Sequence, residues 1–318
     1  MATSKQKLFK NPFASLRSKK KEPIEPVEPW RVYKELTGEH GWQKEYYKTL
    51  LTRIKNNTTS VLKKEDVGSE TINIMMLGYV QSGKSSTINS IFCILDNRIS
   101  KRAKSGDSED SFTQTYDSFR GEKQLDDIIL YDVMGVEAVK HQGILTEDIK
   151  MCMKGDVEES YQFDPRSQKR IDGKVFGKEI HCVMYCVDAE SIFQEIIEPV
   201  KKKMQEIESE LKLNPQDRIV LVTKIDTICD ETKKDIRRIF HSKKVQNAVE
   251  MAARVFKVSL NQVHPIKNYT DEVEIDEYKN IPLLLGLSKA VDFGTDYLRN
   301  MADKAKRKSQ QKEQQTEI

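Results

Sequence analysis

Five short runs of almost unbroken apolar residues set the limits on this fold. They are TINIMML (71–77), DDIILYDV (126–133), IHCVMYCVDA (180–189), DRIVLVTK (217–224) and VHPIK (263–267). A sheet with one wet face alternates apolar and polar residues, whereas near-continuous apolar runs describe strands covered on both faces. Helical candidates separate or follow them at 84–95, 145–153, 191–212, 231–241, 244–258 and 281–302. That alternation predicts an α/β fold, a mostly parallel sheet with helices on both faces. SFTQTYDSF (111–119) reads as an edge strand, and Pro199 starts or kinks its helix because it has no N–H to donate.

The loop after the first run is GYVQSGKS, Gly78 to Ser85, which satisfies G-x-x-x-x-G-K-[ST] in full between a strand and a helix. Gly78 and Gly83 let the backbone curl, so that successive N–H groups through Gln81, Ser82, Gly83, Ser85 and Ser86 turn toward phosphate oxygens. The positive end of the following helix adds to that cradle. Lys84 would reach the β and γ phosphates, which makes it the first candidate catalytic group, and Ser85 would offer its hydroxyl to Mg²⁺. The setting predicts a P-loop NTPase of the G-domain type.

Four further stretches fill out the site. In DVMG, Asp132 would hold a Mg²⁺-bound water and the Gly135 N–H would contact the γ-phosphate. Thr113 is the candidate first-switch threonine, a metal ligand and catalytic group, with Ser111 and Thr115 as rivals. TKID closes a strand where ligands bind in open α/β sheets. There Asp226 can accept from both N1–H and the 2-amino group of guanine, donors that adenine lacks, while the stem of Lys224 lies over the base. Thr223 stands where many GTPases have Asn, keeping a hydroxyl but losing the amide's double reach. SLN (259–261) and KNY (267–269) compete for the last base contact; KNY is preferred, because Asn268 and Tyr269 follow the final strand. The ligands expected are GTP or GDP with Mg²⁺, and TKID argues against an ATPase or a P-loop kinase.

Hydrolysis has weaker support. Val136 and Glu137 follow the DVMG glycine where Ras-like enzymes commonly place a water-orienting glutamine, and none of Arg98, Arg102 or Arg120 stands out as a finger. Slow turnover, raised by a partner or a dimer across the nucleotide face, is the expectation. A scaffold that binds GTP for unidentified protein partners without hydrolysing it is the alternative.

Composition organises the remainder. With 53 basic and 50 acidic residues in 318, the net charge of +3 names no partner, and no nucleic-acid contact is expected. Seven Lys and Arg precede Glu22, and KAKRKSQQK closes the chain; both basic ends read as solvated tails rather than membrane contacts. Residues 1–28 form a proline-bearing, disordered basic leader and 303–318 a polar tail. In between, 29–66 is a helical segment packed on a G domain of 67–302, with Trp42, Tyr46, Leu50 and Ile54 striping a helix over 39–56. Five cysteines, four of them in apolar surroundings, fit a reduced cytosolic protein. So does the lack of a spanning segment or secretion signal, and Ala2 after Met1 excludes the glycine that N-myristoylation needs.

With its motifs in this order, the chain resembles the interferon-induced protein 44 and 44-like family. LGYVQSGKSSTINSIF, MKGDVEESYQFDP (153–165), IHCVMYCVDA and VHPIKNY carry the resemblance, over roughly residues 69–300. It implies a P-loop G domain, GTP binding, a cytoplasmic location and a role in interferon-linked innate immunity. Longer members carry a TLDc domain ahead of the G domain, and this chain reads as a short form without it. The stretch at 153–170 is expected to pack through Tyr161 and Phe163.

Overall fold

The computed structural model describes residues 28–36, 42–104, 114–137, 143–164, 178–194, 197–211 and 218–316. Residues 1–27 of the leader, Ser111 and Thr113 lie outside these. Six strands form one sheet: β1 (Ile72–Gly78), β2 (Asp117–Arg120), β3 (Ile128–Asp132), β4 (Cys182–Asp188), β5 (Arg218–Thr223) and β6 (Val263–Pro265). Their spatial order is β2-β3-β1-β4-β5-β6, with every neighbouring pair parallel except β2 against β3. All residues of β1 and β5 are buried, as strands covered on both faces must be. This is the α/β architecture of a P-loop G domain, and its ligand face is the carboxyl edge of β1, β3, β4 and β5.

The helices are α1 (Tyr46–Lys64), α2 (Lys84–Asp96), α3 (Thr146–Lys154), α4 (Ile197–Leu211), the short α5 (Ile225–Ile228) and α6 (Asp230–Lys234), α7 (Lys243–Phe256) and α8 (Glu277–Thr316). α8 packs on β1, β4, β5 and β6, touches α2, and carries α1 on its outer side; α3, α4 and α7 touch in succession and form a second layer. Pro199 falls in the first turn of α4, where no intrahelical donor is lost. None of the five cysteines forms a disulfide, and all are buried.

Several boundaries differ from the sequence reading. The first helix begins at Tyr46 rather than near residue 39 and runs on to Lys64, because Thr58 and Val61 continue the buried stripe of Leu50 and Ile54. Polar bonds hold it in place: Asn57 donates to Asp292 at 2.9 Å, and Arg53 to Ser288 at 2.8 Å. The helix expected over 231–241 breaks at Asp235, which turns extended and accepts from the Arg237 N–H as a cap. α8 does not stop at residue 302: good helix formers without glycine or proline carry it to Thr316 through an exposed stretch.

The edge strand is shorter than 111–119, and the segment leading into it pairs with the 153–170 stretch instead. Thr115 bridges Gln162, the Tyr116 N–H donates to the Tyr161 carbonyl at 2.8 Å, and the Phe163 N–H to that of Gln114 at 2.8 Å. Tyr116 stacks on Tyr131 and meets Phe163 edge-on, and Phe163 meets Tyr161 in the same way. Residues 160–163 are therefore packed against the body.

Candidate functional site

β1 ends at Gly78, and only glycine fits there: a Cβ would lie 2.3 Å from the Cys186 carbonyl oxygen. Two residues in the loop then take left-handed backbone, Gln81 (φ 62°) and Gly83 (φ 93°), and the second caps α2. Ser82 is fully buried beneath the turn. Lys84 is buried, and its Nζ donates to the Tyr79 carbonyl at 3.0 Å and the Gly78 carbonyl at 3.4 Å. Burial lowers its pKa, against the pull of Asp132. Ser86 follows in the first turn, half-buried, its carbonyl accepting from the Ser90 hydroxyl.

At the end of β3, Asp132 stands across from the loop, and the Ser85 hydroxyl donates to its Oδ2 at 2.5 Å. Gly135 presses against the P-loop, where a Cβ would meet Val80 at 2.7 Å. The next residue, Val136, is fully buried, and its N–H donates to the Gly78 carbonyl at 2.9 Å. Glu137 is held by its backbone, through Lys203 Nζ at 2.9 Å. Arg102 is engaged with Asp96 and Glu122 and lies over Phe92, while Arg120 Nε donates to the Asp126 carbonyl. Thr115, a rival for the first-switch threonine, donates to Asp117 Oδ2 at 2.6 Å.

The base side comes from β5 and β6. The Thr223 hydroxyl donates to the Ser82 carbonyl at 2.7 Å, and the Asn268 amide to Thr87 Oγ1 at 3.1 Å and the Gly83 carbonyl at 3.4 Å. A Cβ on Gly83 would meet both side chains at 3.3 Å. Asn268 thus bonds the same turn as Thr223. Asp226 lies 3.9 Å from Lys267 Nζ, and Lys224 Nζ lies 3.1 Å from Asp188 Oδ2. Tyr269 is anchored at both ends, its N–H to Ser90 Oγ and its hydroxyl to Asn280 Oδ1 and the Asp276 carbonyl. Ser259–Asn261 instead precede β6, at the opposite end of that strand from Asn268. Sequence reading missed Asp188, Tyr79 and Thr87; the only signal for Asp188 was its place at the end of an apolar run.

No protein-family model matches the chain. Among curated proteins it is 26% identical to human interferon-induced protein 44 over 240 residues, covering 72% of this chain and 54% of that one. Human interferon-induced protein 44-like matches at 26% over 247 residues, with 74% and 54% covered. The chain is a homologue of the interferon-induced protein 44 and 44-like proteins. It spans about half the length of these relatives. Solved structures of similar fold include Toc33 from Arabidopsis thaliana in complex with GDP and Mg²⁺, at TM-score 0.45 and 17% identity, covering 81% of this chain and 96% of that one. Another is the LeoA bacterial dynamin GTPase from ETEC, at TM-score 0.41 and 12% identity, with 80% and 45% covered. Among the described residues, no helix is long and apolar enough to cross a membrane.

Proposed function

We propose that this interferon-induced protein 44 homologue is a Mg²⁺-dependent guanine-nucleotide switch of the cytoplasm, hydrolysing GTP slowly or on stimulation by a partner. Its expected setting is the interferon-linked innate immune response that its relatives' names suggest. The observation that carries the reading is convergence: the Thr223 hydroxyl and the Asn268 amide both bond the backbone of the loop that holds Lys84 and Ser85. Base loops and phosphate loop therefore form one bonded unit.

The residues present fit both groups. An all-oxygen pair, Ser85 Oγ and Asp132 Oδ2, is the chemistry that Mg²⁺ takes, and Thr113 is the expected third ligand. Gly78, Gln81, Ser82, Gly83 and Ser86 shape the phosphate cradle, with Gly135 on its γ side. Lys84 supplies charge to the β and γ phosphates. Asp226 reads the guanine edge, Lys224 lies along its face, and Asn268 and Tyr269 close the pocket. GTP, when bound, brings the phosphoanhydride whose cleavage would reset the switch.

A second reading, a GTP-binding scaffold without turnover, is favoured by Val136. Fully buried and bonded to Gly78, it offers no polar side chain to a water at the position after Gly135. Single-turnover phosphate release with Mg²⁺, over a protein concentration series, separates the two. A rate rising with concentration supports a switch stimulated by a dimer across the nucleotide face; a rate fixed at that of Lys84→Ala supports the scaffold. Wild-type protein that binds ATP as tightly as GTP would refute the guanine assignment.

A further inference from the structure

One residue outside the nucleotide-binding motifs holds two residues of the site at once, one by its carboxylate and one by its backbone N–H. Asp188 ends β4 with its side chain only 13% exposed. Its Oδ1 accepts from the N–H groups of Glu190 and Ser191 at 2.8 and 3.0 Å, which closes the turn into Ser191–Phe193 and fixes the carboxylate on its own strand end. Oδ2 lies 3.1 Å from Lys224 Nζ. The Asp188 N–H donates to the Tyr79 hydroxyl at 2.9 Å, so the P-loop rests on the same residue.

Lys224 has need of such a hold. Its backbone is left-handed (φ 54°), a region that residues with a Cβ seldom occupy unless their surroundings impose it. Its long stem is flexible, so a useful orientation over a planar base must be enforced from the far end. The Asp188 carboxylate is anchored by backbone donors, so the lysine comes to it rather than the reverse.

We propose that Asp188 is a positioning residue for base recognition, drawing the Lys224 ammonium to the end of β4 so that the stem forms a shelf for the guanine whose edge Asp226 reads. This rests on the guanine-nucleotide reading above. An ion pair of purely structural value would stabilise the apo fold and leave the base unaffected; a positioning pair acts on the base and not on the phosphates.

Asp188→Asn tests the difference, since Asn retains an acceptor for Glu190 and Ser191 but loses the charge that attracts Lys224. GDP and tripolyphosphate, which has no base, are titrated against wild type and variant by displacement of a fluorescent GDP analogue, alongside apo melting temperatures. GDP affinity is expected to fall about fivefold, the worth of a partly exposed ion pair, with tripolyphosphate affinity and melting temperature unchanged. In a Lys224→Met background the same substitution should have no further effect on GDP. Undiminished GDP binding by Asp188→Asn, or an equal weakening for tripolyphosphate, overturns the assignment. Wild type that binds GDP no tighter than tripolyphosphate overturns the guanine reading, and this inference with it.

Discussion

The Thr223 hydroxyl donates to the Ser82 carbonyl across 2.7 Å, while Asn268 closes on Gly83 from the loop after β6. Two side chains, one from the end of β5 and one from the loop after β6, thus brace one turn, and both face Gly83. Thr223→Val and Asn268→Ala should each weaken GDP binding by about 1 kcal/mol, the net worth of a buried hydrogen bond. Because the two residues act on one loop, the double variant should depart from the sum of the singles. Calorimetric titration of all four proteins checks both statements; strict additivity would mean that the braces work independently.

Asp226→Asn exchanges an acceptor for a donor on the side facing the guanine N1–H and 2-amino groups. GDP affinity should fall by about 2 kcal/mol, typical for a hydrogen bond to a charged group, and XDP should gain. A competition assay with the two diphosphates reads the swap directly. Loss of both, with a lowered melting temperature, would instead point to the Lys267 contact as Asp226's main role.

Gly78→Ala would put a methyl group 2.3 Å from the Cys186 carbonyl and 2.6 Å from Ser82 Oγ. The carbonyl belongs to β4 and cannot withdraw without loosening the central sheet. We expect a loss of about 3 kcal/mol in stability, the scale of an overpacked core site, together with loss of nucleotide binding. Urea denaturation of the two proteins measures it.

Asp148 is buried at the start of α3, and burial pushes its carboxyl up to about 6, opposed by the Leu145 backbone. The ordinary value is 3.8, so between these limits the folded chain holds a proton that the unfolded chain has released. Asp148 therefore contributes stability at low pH that is lost as pH rises through 6. Discounted for its partial solvent screening, the effect is about 1 kcal/mol. Asp148→Asn should melt higher than wild type at pH 7.5 and nearly level with it at pH 4.5.

Val136→Gln places a glutamine at the position where Ras-like enzymes carry one, yet turnover should not rise. The side chain there points into the core, so a buried amide without partners would cost about 2 kcal/mol of stability. Phosphate release and thermal melts on the same preparation decide; faster release would show that the segment can turn its side chain outward.

The strands were legible because central parallel strands must be apolar on both faces, and β1, β4 and β5 are. The phosphate loop was legible because backbone curvature demands Gly78 and Gly83 at fixed spacing. Helix boundaries were less so. The break at Asp235 depends on one capping carboxylate, and the extension of α8 to Thr316 on a polar sequence with no buried face to mark it. Asp188 escaped because its partners, Tyr79 and Lys224, lie 109 and 36 positions away and only sheet order brings them together. Thr223 looked like a weakened asparagine until Asn268, 45 residues later, proved to reach the same turn.

Arg31 donates to the carbonyls of Leu260 and Val263, at 2.6 and 2.7 Å, and so occupies acceptors at the outer margin of β6. At the opposite margin, residues 160–163 pair with the segment that enters β2. Those two stretches of the sheet's margins are thereby closed to an incoming strand, which guards against edge-to-edge aggregation there. Copies of this chain that associate through helices or through the loop face would avoid those margins, and at the loop face a neighbour would sense what the loops hold.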